Sequence, residues 1–173
     1  MECGKTWERL AAETPFDNLP RAAATWRGIE HIAAAILDPV TDGLGRPTLT
    51  YGFASPRLAR QIRRGIAPRL DQHAGAEVTR GGRQVCERGG QAVDICVHGH
   101  TADALVERLL EATEFDRLYI YGLDRPVHVS ASQSPRRQIV LMLPRVGRTV
   151  PRVVAEREIQ VELRRLLPPR VRE

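Results

Sequence analysis

The chain has 173 residues, enough for one domain that buries its own core without disulfide staples. Hydrophobic residues make up 42% and the formal charge is only +5, an ordinary globular balance in which Lys5 is the sole lysine and arginine supplies the rest. No stretch approaches the roughly 20 apolar residues of a membrane span, and Met1–Glu8 has no leader-like apolar run, so a cytoplasmic protein without a membrane partner is expected.

In chain order, residues 1–17 read as an N-terminal arm. Asn18-Leu19-Pro20 looks like a helix start, with Asn18 or Leu19 at the cap and Pro20 in the first turn. From Arg21 to Leu37, Ala22, Trp26, Ile29, Ala33 and Ile36 recur at helical spacing and form the expected inward stripe, which leaves His31 on the surface. Asp38-Pro39 should end this helix, because a residue before proline disfavours the helical region. Gly43–Pro47 is a turn and Thr48–Phe53 a strand. Ser55-Pro56 opens a short helix with Leu58, Ile62 and Ile66 inward, broken at Pro68.

From Asp71 to Gly90 the chain is polar and glycine-rich, as in a loop or small hairpin. Gln91–Val97 is a strand, and Thr101–Thr113 an amphipathic helix with Leu105, Leu109 and Ala112 on one face. Between them, His98-Gly99-His100 is read as a turn leading into a capping Thr101 rather than as a metal pair. Arg117–Tyr121, Val127–Ser130 and Gln138–Leu143 are further strands. Beyond Pro144, eight arginines face four glutamates, and Val153–Leu167 is expected to be helical, with a strand carrying Ile159, Val161 and Leu163 as the alternative, stopped by Pro168-Pro169. The fold class that follows is α+β, with N-terminal helices packed on a mostly antiparallel central sheet. Cys3, Cys86 and Cys96 lack CxxC spacing and are read as free thiols, Cys96 as strand packing and Cys86 in a polar loop with its role open.

Three segments carry the chemistry: Asp71-Gln72-His73, Gly90-Gln91-Ala92-Val93-Asp94 and Pro126-Val127-His128-Val129-Ser130. Two imidazoles and a carboxylate are the donor types of a catalytic zinc, which takes three protein ligands and leaves a fourth position for water. The surrounding phrases add to this. Leu37-Asp38-Pro39-Val40, Gly45-Arg46-Pro47 and Leu49–Ser55 are followed by Asp71-Gln72-His73 and Gly90–Ile95. Phe115-Asp116-Arg117-Leu118, Val127-His128-Val129-Ser130 and Arg136-Arg137-Gln138-Ile139 then close the series. Together they resemble, over about residues 18 to 143, the zinc D-Ala-D-Ala carboxypeptidases, the Hedgehog-like peptidases, of which this chain would be a divergent member. The resemblance implies a Hedgehog/DD-peptidase-like domain over 18–143, with 144–173 as a basic, helical C-terminal extension. It also implies zinc ligands at His73, Asp94 and His128.

The chain departs from that pattern in three places. The family keeps its first histidine and aspartate seven residues apart, whereas here they are 21 apart, so about 14 extra residues lie at roughly 76–89. Such a loop would overhang the metal, at little extra closure cost. The family's substrate-handling arginine is Ala54 here, with Arg57, Arg69, Arg80, Arg83 and Arg88 as available replacements. The glutamate expected shortly before the last histidine is absent, where Tyr121-Gly122 stand. Asp124 and Glu87 are therefore the candidate bases, and Glu77 is a further acid in the insertion. Tyr51, Arg88 and Tyr121 are the candidate substrate-binding residues.

The expected function is a zinc-dependent hydrolase in which a metal-activated water attacks an amide bond of a peptide or other small amide substrate. One alternative is a non-catalytic zinc-binding domain that holds a partner, nucleic acid included, through its insertion and arginine-rich tail. The other is a zinc hydrolase with a substrate outside the cell wall. A fourth ligand from Cys86, His98 or His100 would favour the non-catalytic reading. Nothing in the sequence addresses the oligomeric state.

Overall fold

A computed structural model describes residues 17–61 and 67–166. Expectations about the N-terminal arm, Ile62, Ile66, Leu167 and the closing Pro168-Pro169 lie outside the described residues. Helix α1 (Ala23–Ile32) runs through a π turn (Ala33–Leu37) into α2 (Asp38–Leu44), followed by strand β1 (Pro47–Tyr51) and the short α3 (Pro56–Gln61). Two 3-10 turns, Pro68–Leu70 and Gln72–Ala74, precede β2 (Gln91–Val97) and α4 (Ala102–Ala112). The remainder is β3 (Arg117–Ile120), β4 (Val127–Ala131), β5 (Gln138–Arg145), β6 (Arg148–Val154), a 3-10 turn (Glu156–Glu158) and α5 (Ile159–Leu166).

The six strands form one sheet in the order β1-β2-β4-β3-β5-β6. Every neighbouring pair is antiparallel except β3 and β5. The α+β class is therefore present, with a sheet that is mostly antiparallel. Strand alternation separates two faces. Val93, Ile95, Val127, Val129, Leu118, Ile120, Ile139 and Leu141 join the helices' Ile32, Ile36, Val40, Leu105, Leu109, Ile159 and Leu163 in one apolar core. Asp94, His128 and Tyr119 stand on the alternate positions and so on the opposite face.

Several local expectations are corrected. Asp38-Pro39 does not end the first helix. The Asp38 N–H bonds to the Ala33 carbonyl, five residues back, and Pro39 then occupies the first turn of α2, where a missing N–H is tolerated. The inward stripe is Thr25, Ile32, Ile36 and Val40, while Trp26 is about half exposed. The extra backbone of the π turn and the contacts of α2 with α4 decide this rotation. Asn18 is not the helix cap. Its side chain bridges the Phe53 carbonyl and the Ser55 N–H, tying the start of the chain to the segment after β1.

After Pro144 the expected helix is present as α5, within Val153–Leu167, but a strand precedes it. Arg145–Arg148 is a tight hairpin turn around Gly147, and β6 pairs along the length of β5. Val154, Ile159 and Leu163 enter the core, whereas Val161 is exposed. This segment therefore completes the domain. Thr101 stands at the N-terminus of α4 but makes no side-chain cap. Ser55 does meet its expectation, its hydroxyl accepting from the Leu58 N–H at 3.3 Å.

Candidate metal centre

One row of directly opposed residues crosses four strands: Tyr51 on β1, Asp94 on β2, His128 on β4 and Tyr119 on β3. Opposed residues share a face, so the row places a carboxylate beside an imidazole with a tyrosine on either flank. His73 joins from the Gln72–Ala74 turn, which packs against β2. Its ring lies 4.3 Å from the Tyr51 ring and 4.9 Å from that of His128, centroid to centroid.

The turn is built to aim that ring. Asp71 accepts from the His73 N–H, the His73 carbonyl accepts from the Ala54 N–H, and the Gln91 amide reaches the same carbonyl. His73 Nδ1 donates to the Gly52 carbonyl at 2.8 Å, which leaves Nε2 as the inward lone pair. Beneath the turn, Gln72 donates to the Gly89 carbonyl and to Asp116, and Arg117 pairs with Asp116. These bonds hold both ends of the 72–89 segment on the sheet.

His73 Nε2, Asp94 Oδ1 and His128 Nδ1 converge on one point. The edges of this triangle are 3.1 Å between the imidazoles, 3.1 Å from His73 to Asp94 and 2.8 Å from His128 to Asp94. Two ring nitrogens at that distance repel if both present lone pairs or both present protons, so one shared proton or one cation must lie between them. A tetrahedral ion with bonds near 2.0 Å separates its ligands by about 3.3 Å, so the triangle needs to open by only a few tenths of an ångström. Both histidines are buried, and Asp94 keeps about a fifth of its side chain exposed. The Tyr51 hydroxyl is buried and has no hydrogen-bond partner among the described residues, as expected beside a group that completes the site. The donor set thus fits a metal ion.

The electrostatics match a shared cation. Burial alone would raise the Asp94 carboxyl, but hydrogen bonds from His128 and His73 pull it well below the usual range. Burial alone would lower His73, but the hydrogen bond and charge of Asp94, with Asp71 adding to them, hold it above its ordinary value. Burial and the His73 charge keep His128 below its own. Burial, then the charges of Asp71 and Asp94, push the Tyr51 hydroxyl up.

The other expected site residues divide. Arg88 donates to the Tyr119 hydroxyl at 2.8 Å, and the Tyr119 ring meets His128 edge-on at 5.1 Å, so the insertion does reach the site. Tyr51 is at the site. Tyr121 lies one residue beyond β3 and is largely exposed. Asp124 is not beside the cluster: it lines a separate cavity of about 250 Å³ with Val97, His98, His100 and Pro126, which includes none of the three ligands. The antiparallel register explains this, because stepping back from His128 along β4 leads towards the far end of β2. Glu87 is largely exposed, 4.0 Å from Arg69. Glu77 is buried and structural, its Oε1 accepting from Arg21 N–H, Ala22 N–H and the Thr25 hydroxyl at 2.9 Å each. It caps α1 from the insertion. Cys86, whose role the sequence left open, is fully buried, while Cys96, expected as buried strand packing, is only partly so. The insertion folds back on itself through the Val78–Gln84 bridge and encloses Cys86, whereas Cys96 looks onto the separate cavity.

Neither Cys86, His98 nor His100 joins the ligand cluster, and His73, Asp94 and His128 are the one such group among the described residues. Asp71 is the carboxylate that sequence reasoning missed. It caps the turn that carries His73, and its charge acts on Tyr51, His73 and His128. Its place two residues before a ligand histidine was the available signal. Compared with family models, curated proteins and solved structures, the chain matches none.

Proposed function

We propose that this protein is a zinc-dependent hydrolase of the D-Ala-D-Ala carboxypeptidase type, cleaving an amide bond, with zinc held by His73 Nε2, Asp94 Oδ1 and His128 Nδ1. The observation that carries the reading is the convergence of three donors, and no fourth among the described residues, on one point. A structural zinc site is usually closed by four protein ligands, while three leave a position open. Zinc bound there would supply an activated water and polarise the carbonyl under attack.

The chain's own residues do the rest. Gly52 fixes the His73 tautomer, and the partial exposure of Asp94 marks the side from which substrate enters. Asp71 accepts from the His73 N–H and so fixes the turn that aims that imidazole. In the arginine-rich tail proposed as an alternative nucleic-acid contact, three of the eight arginines are paired, Arg152 and Arg165 with Glu162 and Arg157 with Glu158, which offsets part of its charge.

Metal analysis with X-ray absorption of the purified protein, followed by a hydrolysis screen of D-Ala-terminated and other small peptides, tests the proposal. One zinc with two nitrogens and only oxygens besides, lost in His128→Ala, is expected. A sulfur or third imidazole in the shell, or no metal, would overturn the reading.

A further inference from the structure

We infer that Arg88 is the anion-binding residue of this site, held by Tyr119 to receive the carboxylate at the C-terminal end of a peptide substrate. The inference deepens the hydrolase reading and rests on it. Arg88 comes from the insertion and is half-buried. Its Nη1 bonds the Tyr119 hydroxyl, and Tyr119 stands directly opposite His128 with its ring against the imidazole. One hydroxyl thus fixes a guanidinium one aromatic ring away from the ligand cluster.

The charge is not consumed inside the protein. Arg117, the nearby cation on the same strand as Tyr119, is engaged with Asp116 and Gln72. Arg88 forms no ion pair among the described residues, and its guanidinium makes no hydrogen bond there besides the one to Tyr119. A guanidinium offers a planar fork that matches a carboxylate with two parallel bonds. Anchoring one nitrogen on a buried tyrosine lowers the entropy lost when that fork closes on a ligand. Position 54 cannot supply such a group: Ala54 is fully buried, and its N–H is bonded to the His73 carbonyl. A terminal carboxylate held by Arg88, with Tyr119 linking it to His128, would favour a carboxypeptidase over an endopeptidase.

The test uses the full-length zinc-loaded protein with N-acetyl-dialanine, in both D,D and L,L forms, and the C-terminal amide of each. Calorimetric binding and turnover are both read. Wild type should prefer a free acid over its amide by at least 30-fold in binding, and Arg88→Ala should abolish that preference while keeping zinc content and Tm. Arg88→Lys should recover it only in part, and Tyr119→Phe should weaken it about fivefold to tenfold. Where turnover occurs, the loss in Arg88→Ala should fall mainly on KM. Equal losses on acid and amide, or a wild type indifferent to the carboxylate, would overturn the assignment even if hydrolysis is found. Carboxylate-selective binding that needs Arg88, without turnover in wild type, would uphold the anion site and sink the hydrolase reading instead.

Discussion

Asp94 and His128 are direct cross-strand partners on β2 and β4, and Oδ1 of one lies 2.8 Å from Nδ1 of the other. Two candidate ligands are therefore positioned by one cross-strand pair of an antiparallel ladder. The third, His73, rides on a turn that must be pinned separately. The site's weak points lie on that turn and in the insertion behind it.

Protons and metal should compete for the triangle. In the metal-free protein His73, held above its ordinary value, keeps one proton, while His128, held below its own, stays neutral. Above about pH 6.5 the unfolded chain carries no proton on these two histidines, so stability falls as His73 deprotonates in the folded state. Below about pH 6.5 the unfolded chain takes up two protons to the folded state's one, and stability falls again. Asp94, with its depressed carboxyl, adds to the acid-side loss below about pH 4. Urea melts of metal-free protein across pH 4 to 9 should thus show a contribution peaking near about pH 6.5 that Asp94→Ala removes. Zinc affinity should rise about tenfold per pH unit until His73 is deprotonated, because binding displaces that single proton. A pH-independent affinity would contradict this assignment.

Glu77 caps α1 from 52 to 56 residues away in sequence. Glu77→Ala strands two backbone N–H groups and a buried hydroxyl, and should cost about 3 kcal/mol, a fall in Tm of roughly 6 to 12 °C. Glu77→Gln keeps the accepting oxygen and should cost about 1 kcal/mol. Thermal melts of the two variants check the ordering, and equal, small shifts would show that the cap is not formed.

The Tyr51 hydroxyl separates stability from chemistry. Removing a buried, unpartnered polar atom in Tyr51→Phe should raise the stability of the metal-free protein by about 1 kcal/mol. Zinc content should be unchanged, and turnover should drop if the hydroxyl bonds substrate. A lower Tm would mean that the hydroxyl is already satisfied in the metal-free protein.

Gly75 ends the ligand turn at φ +56, where an added Cβ would stand 2.7 Å from Gln91 Oε1 and 2.8 Å from Thr25 Cγ2. Gly75→Ala combines backbone strain with overpacking and should cost about 2 to 3 kcal/mol. Because Gln91 also bonds the His73 carbonyl, the displaced turn should weaken zinc binding about tenfold, measurable by competition with a chelator. Unaltered zinc affinity in a folded variant would show that His73 is held independently of this contact.

What could be read locally was read: the alternation in Gln91–Val97 and Val127–Ser130, the polar segment before β2, and the three residues that come together as a group able to hold a metal. Those signals are short-range, since donor type, period and turn residues are properties of neighbours in the chain. Strand period assigns a side chain to a face but names no partner across the sheet. Only the register could align Tyr51, Asp94, His128 and Tyr119 in one row and carry Asp124 away to another cavity. Spacing within the chain suggested Asp124 and Glu87, while packing brought up Asp71 and made Glu77 a helix cap. The π turn through Asp38-Pro39 and the strand after Pro144 were likewise decided at a distance, by α4 and by β5. The identities of the candidate donors are thus a property of the sequence, and the company they keep is a property of non-local pairing, whose energy resides in contacts between segments that no window along the chain contains.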